Sequence, residues 1–203
     1  MFGRFGKDAG SLLGVEITSD SVRMLQLQRR RGRYQVAGLA VEPIEPPSAG
    51  DWLADPERIV SALRRAHQRS FSRQRRVAVA VPASQVICKV CQLPAGLTEA
   101  ELEAHLLVDA DQLFPFPLDD LALDFQVLGA SQVEPGSFDV MVAACRQSTL
   151  DPLEALFLDA GLQLEAVEVD SIALQRVSSL AGLEECSDSM PLAFALALGG
   201  MRR

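Results

Sequence analysis

Cys88 and Cys91, in Cys88-Lys89-Val90-Cys91, have the spacing of a metal knuckle. A knuckle needs a turn, whereas Val86, Ile87 and Val90 favour a strand, in which residues three apart point to opposite faces. No second close Cys/His pair follows, so no metal site is expected. His105 and Asp109 lie four apart on a predicted helix, where they could act as an acid–base pair or as two metal ligands. No third group is near in sequence, and a partly exposed helix pair is the simpler reading. Nucleophile elbow, P-loop and dinucleotide fingerprint are absent.

The remaining chemistry is recognition. Phe114-Pro115-Phe116-Pro117 offers two aromatics locked by prolines, rigid apolar area at low entropy cost that suits capture of an extended peptide. The competing reading is that both rings plug a core beneath the preceding helix. Arg146 is a candidate for holding a peptide carboxylate or carbonyl, against a local ion pair. The arginines from Arg64 to Arg76 could meet anionic headgroups, or form a solvated helix face.

The elements that position these groups alternate in type. Strands are expected at Ser11–Ile17, Val22–Gln28 and Tyr34–Val41, as a meander with a polar turn at Thr18–Ser21 and a charged one at Arg29–Arg33. The prolines of Glu42–Asp51 mark a loop. Asp55-Pro56 starts a helix with Ile59, Leu63 and Ala66 on one face. Val77–Val81, closed by Pro82, reads as a buried central strand, and Val86–Leu93 as another. Thr98 and Glu101 form a capping box for a helix to about Leu113, which the prolines end. Leu121–Leu128 and Phe138–Ala144 pair as a hairpin. A helix Ser148–Ala160 ends at Gly161, a strand Leu164–Val169 follows, and Asp170 caps the next helix. Glu184–Ser189 reads as a linker and Leu192–Leu198 as a last strand. The class is α/β or α+β.

The 203 residues, 48% hydrophobic and 23% charged, are enough for one large domain or two small ones and exclude a disordered tail or a disulfide miniprotein. A net charge of -8 argues against a general nucleic-acid binder. It conceals an asymmetry: +7 through Lys89 and -15 after it. The amino terminus lacks an apolar secretory core and the four cysteines read as reduced thiols, so a cytoplasmic protein is expected.

Leu13-Gly14-Val15-Glu16-Ile17-Thr18-Ser19-Asp20-Ser21-Val22-Arg23-Met24-Leu25 resembles the first motif of the type IV pilus assembly protein PilM family. Val77–Ser84, Leu93–Leu97, Asp111–Leu118, Val142–Arg146 and Val167–Asp170 resemble later blocks, in the family's order. The resemblance implies an actin-like, ribonuclease H-like subdomain 1A of the FtsA type, made of residues 1–81 and 150–203, with an inserted SHS2-like subdomain 1C at 82–149. It further implies a cytoplasmic, non-enzymatic adaptor at the inner membrane that captures the amino-terminal tail of a PilN-type bitopic protein between 1A and 1C. Pilus motor or platform proteins are possible further partners. Val79, Val81, Phe114, Pro115, Phe116 and Arg146 are the expected peptide-binding residues.

Family members are longer, carrying a second actin-like half that this sequence lacks. Leu192–Gly199 looks like the family's carboxyl-terminal helix and strand region, which suggests an internal deletion or an apolar coincidence. In an actin-like site the first turn supplies an acidic residue to the metal and small residues to the phosphates. Here Glu16, Thr18, Ser19, Asp20 and Ser21 occupy it, with no glycine at the turn and Glu where many relatives use Asp. The expectation is a vestigial loop and no cofactor, with ATP and Mg possible only if a second half is supplied in trans. The alternatives are a nucleotide-binding ATPase remnant, or a related type II secretion or FtsA-like division scaffold.

Overall fold

The alternation at the start of the chain is realised as an antiparallel meander of β1 (Leu13–Ile17), β2 (Ser21–Arg30) and β3 (Arg33–Pro43). The structure is a computed structural model and describes residues 12–31, 33–45, 55–178 and 190–202. Helix α1 (Pro56–Arg69) begins where its signals place it: the Asp55 carboxylate accepts from the Arg58 N–H, and proline fills the first turn. Its buried stripe, Ile59, Leu63 and Ala66, lies over β2 and β3. Strand β4 (Arg76–Val81) follows.

Next come β5 (Ile87–Pro94), α2 (Glu99–Val108), α3 (Ala110–Leu113), β6 (Leu121–Ala130) and β7 (Ser137–Arg146). These elements form an antiparallel sheet in the order β5-β7-β6. The capping box closes on both sides: Thr98 Oγ1 accepts from the Glu101 N–H and Glu101 Oε2 from the Thr98 N–H at 2.7 Å. The single helix expected to reach Leu113 is instead broken. Asp109 leaves helical geometry at ψ 1° and ends α2, its N–H bonding to the His105 carbonyl, and one further turn continues as α3. Aspartate is a poor interior helix residue and a good cap. The break leaves Ala110 buried, as Leu102 and Leu106 are.

The chain ends with α4 (Gln147–Asp159), β8 (Gln163–Val169), α5 (Asp170–Ser178) and α6 (Pro191–Arg202). Gly161, at φ 74°, makes the left-handed turn between α4 and β8. β4 runs parallel to β1 on one edge and to β8 on the other, giving the sheet order β3-β2-β1-β4-β8. An antiparallel meander extended by two strands parallel to β1 is the ribonuclease H-like arrangement expected of an actin-like subdomain.

The expected strand at Leu192–Leu198 is a helix. Large and small residues alternate there (Leu192, Phe194, Leu196, Leu198 against Ala193, Ala195, Ala197), which mimics a strand period. Yet alanine and leucine are strong helix formers, and Pro191 suits a first turn. Every residue from Ala193 to Leu198 is buried: Phe194 and Leu198 pack with Leu25 and Leu27, Ala195 and Leu196 with Leu12, Ala78 and Ala166. Gly14 permits the close approach, since a Cβ there would press on the Ala193 carbonyl and the Ala197 nitrogen. The Glu184–Ser189 linker falls outside the described residues.

The described residues divide into two compact units, Ala83–Leu150 and the flanking segments that end at Pro82 and resume at Asp151. The larger holds the five-stranded sheet. The smaller has its own core of Leu93, Leu102, Leu106, Phe114, Val140, Val142 and Ala144.

Candidate functional site

In the smaller unit, the segment after α3 and the end of β7 meet through the β6–β7 ladder, which pairs Leu121 with Arg146. Phe114 takes the core reading: 3% exposed, it packs under α2, with the Lys89 ammonium 5.7 Å from its ring centroid and donating to the Leu113 carbonyl. Phe116 is different. Its ring is half-buried against the same core, and the Arg146 guanidinium stands 5.5 Å from its centroid. Pro115, Pro117 and Leu118 are exposed around it.

Asp120 organises this corner. Arg146 Nη1 lies 3.3 Å from its Oδ2, the Ser148 N–H donates to Oδ1 at 2.8 Å, and the Ser148 hydroxyl reaches Oδ2 at 3.1 Å. The Ser148 amide first, then the Ser148 hydroxyl and Arg146, hold the Asp120 carboxyl below the usual carboxylate range, against some desolvation. A carboxylate facing the first amides of α4 from outside the helix also suits the helix dipole. Arg146 is thus fixed on one side by Asp120 and over an aromatic face on another, while its side chain stays 53% exposed. A guanidinium has five donors, so this one can still bind a carbonyl or carboxylate while remaining in place.

Val79 and Val81 are not surface groups. They oppose Val167 and Val169, Val79 also faces Val15, and their exposures are 1% and 2%. Both are core of the central strand, and their side chains are closed to a peptide. Phe114 is likewise closed. Of the six expected residues, Pro115, Phe116 and Arg146 present surface, and sequence reasoning missed Asp120 and Ser148. The hairpin register, which sets Leu121 opposite Arg146, was the signal that could have brought Asp120 to this corner.

The turn after β1 is closed on itself. Thr18 Oγ1 bonds with Asp20 Oδ1 at 2.5 Å and Ser21 Oγ at 3.0 Å, and accepts from the Ser21 N–H at 3.1 Å. The Thr18 N–H goes to the Ser21 carbonyl. Ser19 is exposed. Thr18 and Ser21 hold the Asp20 carboxyl below its ordinary range. Burial pushes the Glu16 carboxyl up, opposed by Arg23 at 3.7 Å and by the Ala193 amide. A phosphate cradle needs amides and hydroxyls directed outward. Those of Thr18 and Ser21 are spent within the turn, and Glu16 faces α6 and Arg23. Thr18 and Ser21 thus close a hairpin turn.

Cys88 is exposed and Cys91 packs towards the core, so the strand separates the two sulfurs. His105 and Asp109 are both exposed. Among the described residues no three His, Cys, Asp or Glu side chains cluster as metal ligands, and no helix is long and apolar enough to cross a membrane.

Comparison with known proteins adds three findings. A family model described as type IV pilus assembly protein PilM matches residues 14–196. A chain of a PilM-PilN type IV pilus biogenesis complex superposes with a TM-score of 0.69 at 25% identity, over 85% of this chain and 51% of that one. The chain therefore spans about half the length of the structure it resembles. The cytoplasmic domain of EpsL, an inner-membrane component of the type II secretion system of Vibrio cholerae, aligns at a TM-score of 0.49 and 18% identity, over 80% of this chain and 58% of its own.

Proposed function

The chain belongs to the type IV pilus assembly protein PilM family, and from that premise we propose that it is an adaptor holding the amino-terminal tail of a PilN-type bitopic protein at the cytoplasmic face of the inner membrane. The observation that carries this reading is the likeness, over 85% of the chain, to a protein solved as part of a PilM-PilN complex. Binding without catalysis is the activity proposed. The Phe116–Arg146–Asp120 corner supports it, because a half-exposed guanidinium over a ring, edged by prolines, can take a peptide carbonyl and an apolar side chain together. Charge supports it too. The smaller unit carries two basic and ten acidic side chains, a net -8, and cytoplasmic flanks of membrane spans are rich in Lys and Arg.

The test is calorimetric titration of the intact chain with a PilN-type tail peptide of about a dozen residues. Saturable binding is expected, weakened about tenfold by Arg146→Ala, the loss of one charged hydrogen bond, and weakened again by added salt. The absence of saturable binding up to about a millimolar would overturn the adaptor reading.

A further inference from the structure

The larger unit has a cationic end. From Val22 to Val41 the sequence holds five arginines and no acidic residue, and from Arg58 to Val81 seven arginines and no acidic residue; of these, Arg23, Arg58, Arg65 and Arg69 pair with Glu16, Asp55 and Glu42 away from the β2–β3 tip. The sheet brings the two stretches together. Leu13 opposes both Gln26 of antiparallel β2 and Val77 of parallel β4. Beyond Gln26, β2 runs on to its hairpin tip at Arg29–Arg31, and the residues before Arg76 enter from that same end. Between them the α1–β4 loop is tied down. The Ser70 carbonyl packs on Gly38, and the Ser72 hydroxyl donates to Gln26 Oε1 at 2.7 Å. Phe71 lies in sequence between these two anchors, which meet the Gln26–Gly38 pair three residues short of the tip.

Phe71 is the unusual residue of this end. It follows the cap of α1 in the left-handed region, φ 54°, where glycine is the common choice, and its side chain is 91% exposed. The loop thus holds a bulky aromatic fully in water on a backbone that disfavours it. Arg29, Arg30 and Arg31 of the β2–β3 tip and Arg73 and Arg75 of the same loop as Phe71 are exposed. Arg64 and Arg75 donate to the main-chain carbonyls of Asp159 and Gly161, which orients them without neutralising them. Acidic partners of arginines in these elements are Glu165, which Arg76 binds at 2.9 Å, and Glu42, which Arg65 and Arg69 bind at the other end of β3.

We propose that this end of the larger unit docks on an anionic lipid bilayer, Phe71 entering the boundary between headgroups and acyl chains while the arginines of the β2–β3 tip and the α1–β4 loop bind lipid phosphates. A single outward aromatic among cations on two loops suits a plane. An acidic protein segment is better served by a groove, which a hairpin tip and an outward loop do not provide. The inference is independent of the peptide reading, because its residues lie in the other unit and its probe contains no protein.

The test is co-flotation of the full chain with vesicles of phosphatidylcholine alone or with about 30% phosphatidylglycerol, an anionic fraction high enough to set up a negative surface potential. Binding is expected on the anionic vesicles only, falling as salt rises. Replacing Arg29, Arg30 and Arg31 by Ser should lower partitioning about fivefold for each charge removed. Phe71→Gly should lower it tenfold or more by about the value of one buried aromatic, while leaving the melting temperature unchanged or raised, because glycine accepts positive φ. Equal binding to neutral vesicles, no binding to anionic ones, or a Phe71→Gly protein that floats like the parent would overturn the proposal. So would saturable binding of a polyglutamate peptide without vesicle binding, which would put an acidic protein in place of the lipid.

Discussion

Gly14 sits opposite Leu25 in the sheet, where the backbone of α6 lies against it. A methyl group there meets main-chain atoms of Ala193 and Ala197, which cannot rotate away. Gly14→Ala should therefore destabilise the larger unit by about 3 kcal/mol, the upper part of the overpacking range, read as a lowered denaturation midpoint. Asp120 and Glu16 respond to pH with opposite signs. The Asp120 carboxyl is held below its ordinary value of 3.8 by Ser148 and Arg146. Its stabilising contribution is full above that value and is lost as pH falls through the depressed one. The stability gap between the parent and Asp120→Asn should close on acidification below pH 3.8, and a gap that is constant with pH would refute the assignment. Glu16, pushed up by burial, costs stability while ionised. That cost fades as pH falls through its raised value, so Glu16→Gln should be more stable than the parent at neutral pH and lose that advantage in acid.

Local signals were legible wherever one short stretch contained the whole cause. Asp55-Pro56, Thr98 with Glu101, and Gly161 each define a boundary through bonds made within a few residues, and each boundary stands where expected. Thr98→Ala should lower the stability of the smaller unit by about 1 kcal/mol, the usual worth of such a cap, without changing ligand chemistry at Arg146. Two elements were not legible. The Leu192–Leu198 stretch is apolar throughout, so its large-and-small alternation mimics a strand, while residue propensity and packing between two clusters make it a helix. Phe114 and Phe116 share one motif, yet one ring is core and the other half-surface. Which way a ring turns depends on β7 and α2, distant in sequence, and no spacing rule in the motif encodes it. Val79 and Val81 illustrate the converse: a buried-strand pattern was correctly read, and that reading is what closes them to a peptide.

At the scale of the molecule, the split of charge by sequence half is better described by unit. Ala83–Leu150 carries the chain's entire net charge of -8, and the rest balances to zero. Within that balanced remainder Arg29, Arg30 and Arg31 stand together at the β2–β3 tip, so its charge is uneven while its net charge is nil. Solubility follows the net charge, whereas capture of a charged partner follows the local field.

The seating of α6 on β1 also orders events in time. β1 ends at Ile17 and α6 begins at Pro191, so the larger unit cannot close its core until residues more than 170 positions later have been made. Ala83–Leu150 is continuous and needs no later residue for its own core. Closing the long loop is the slow step and the contiguous segment the fast one. Pulse-labelled hydrogen exchange during refolding should find the amides of β5, β6 and β7 protected before those of β1. Ala83–Leu150 would then be a finished body while the five-stranded sheet still awaits α6.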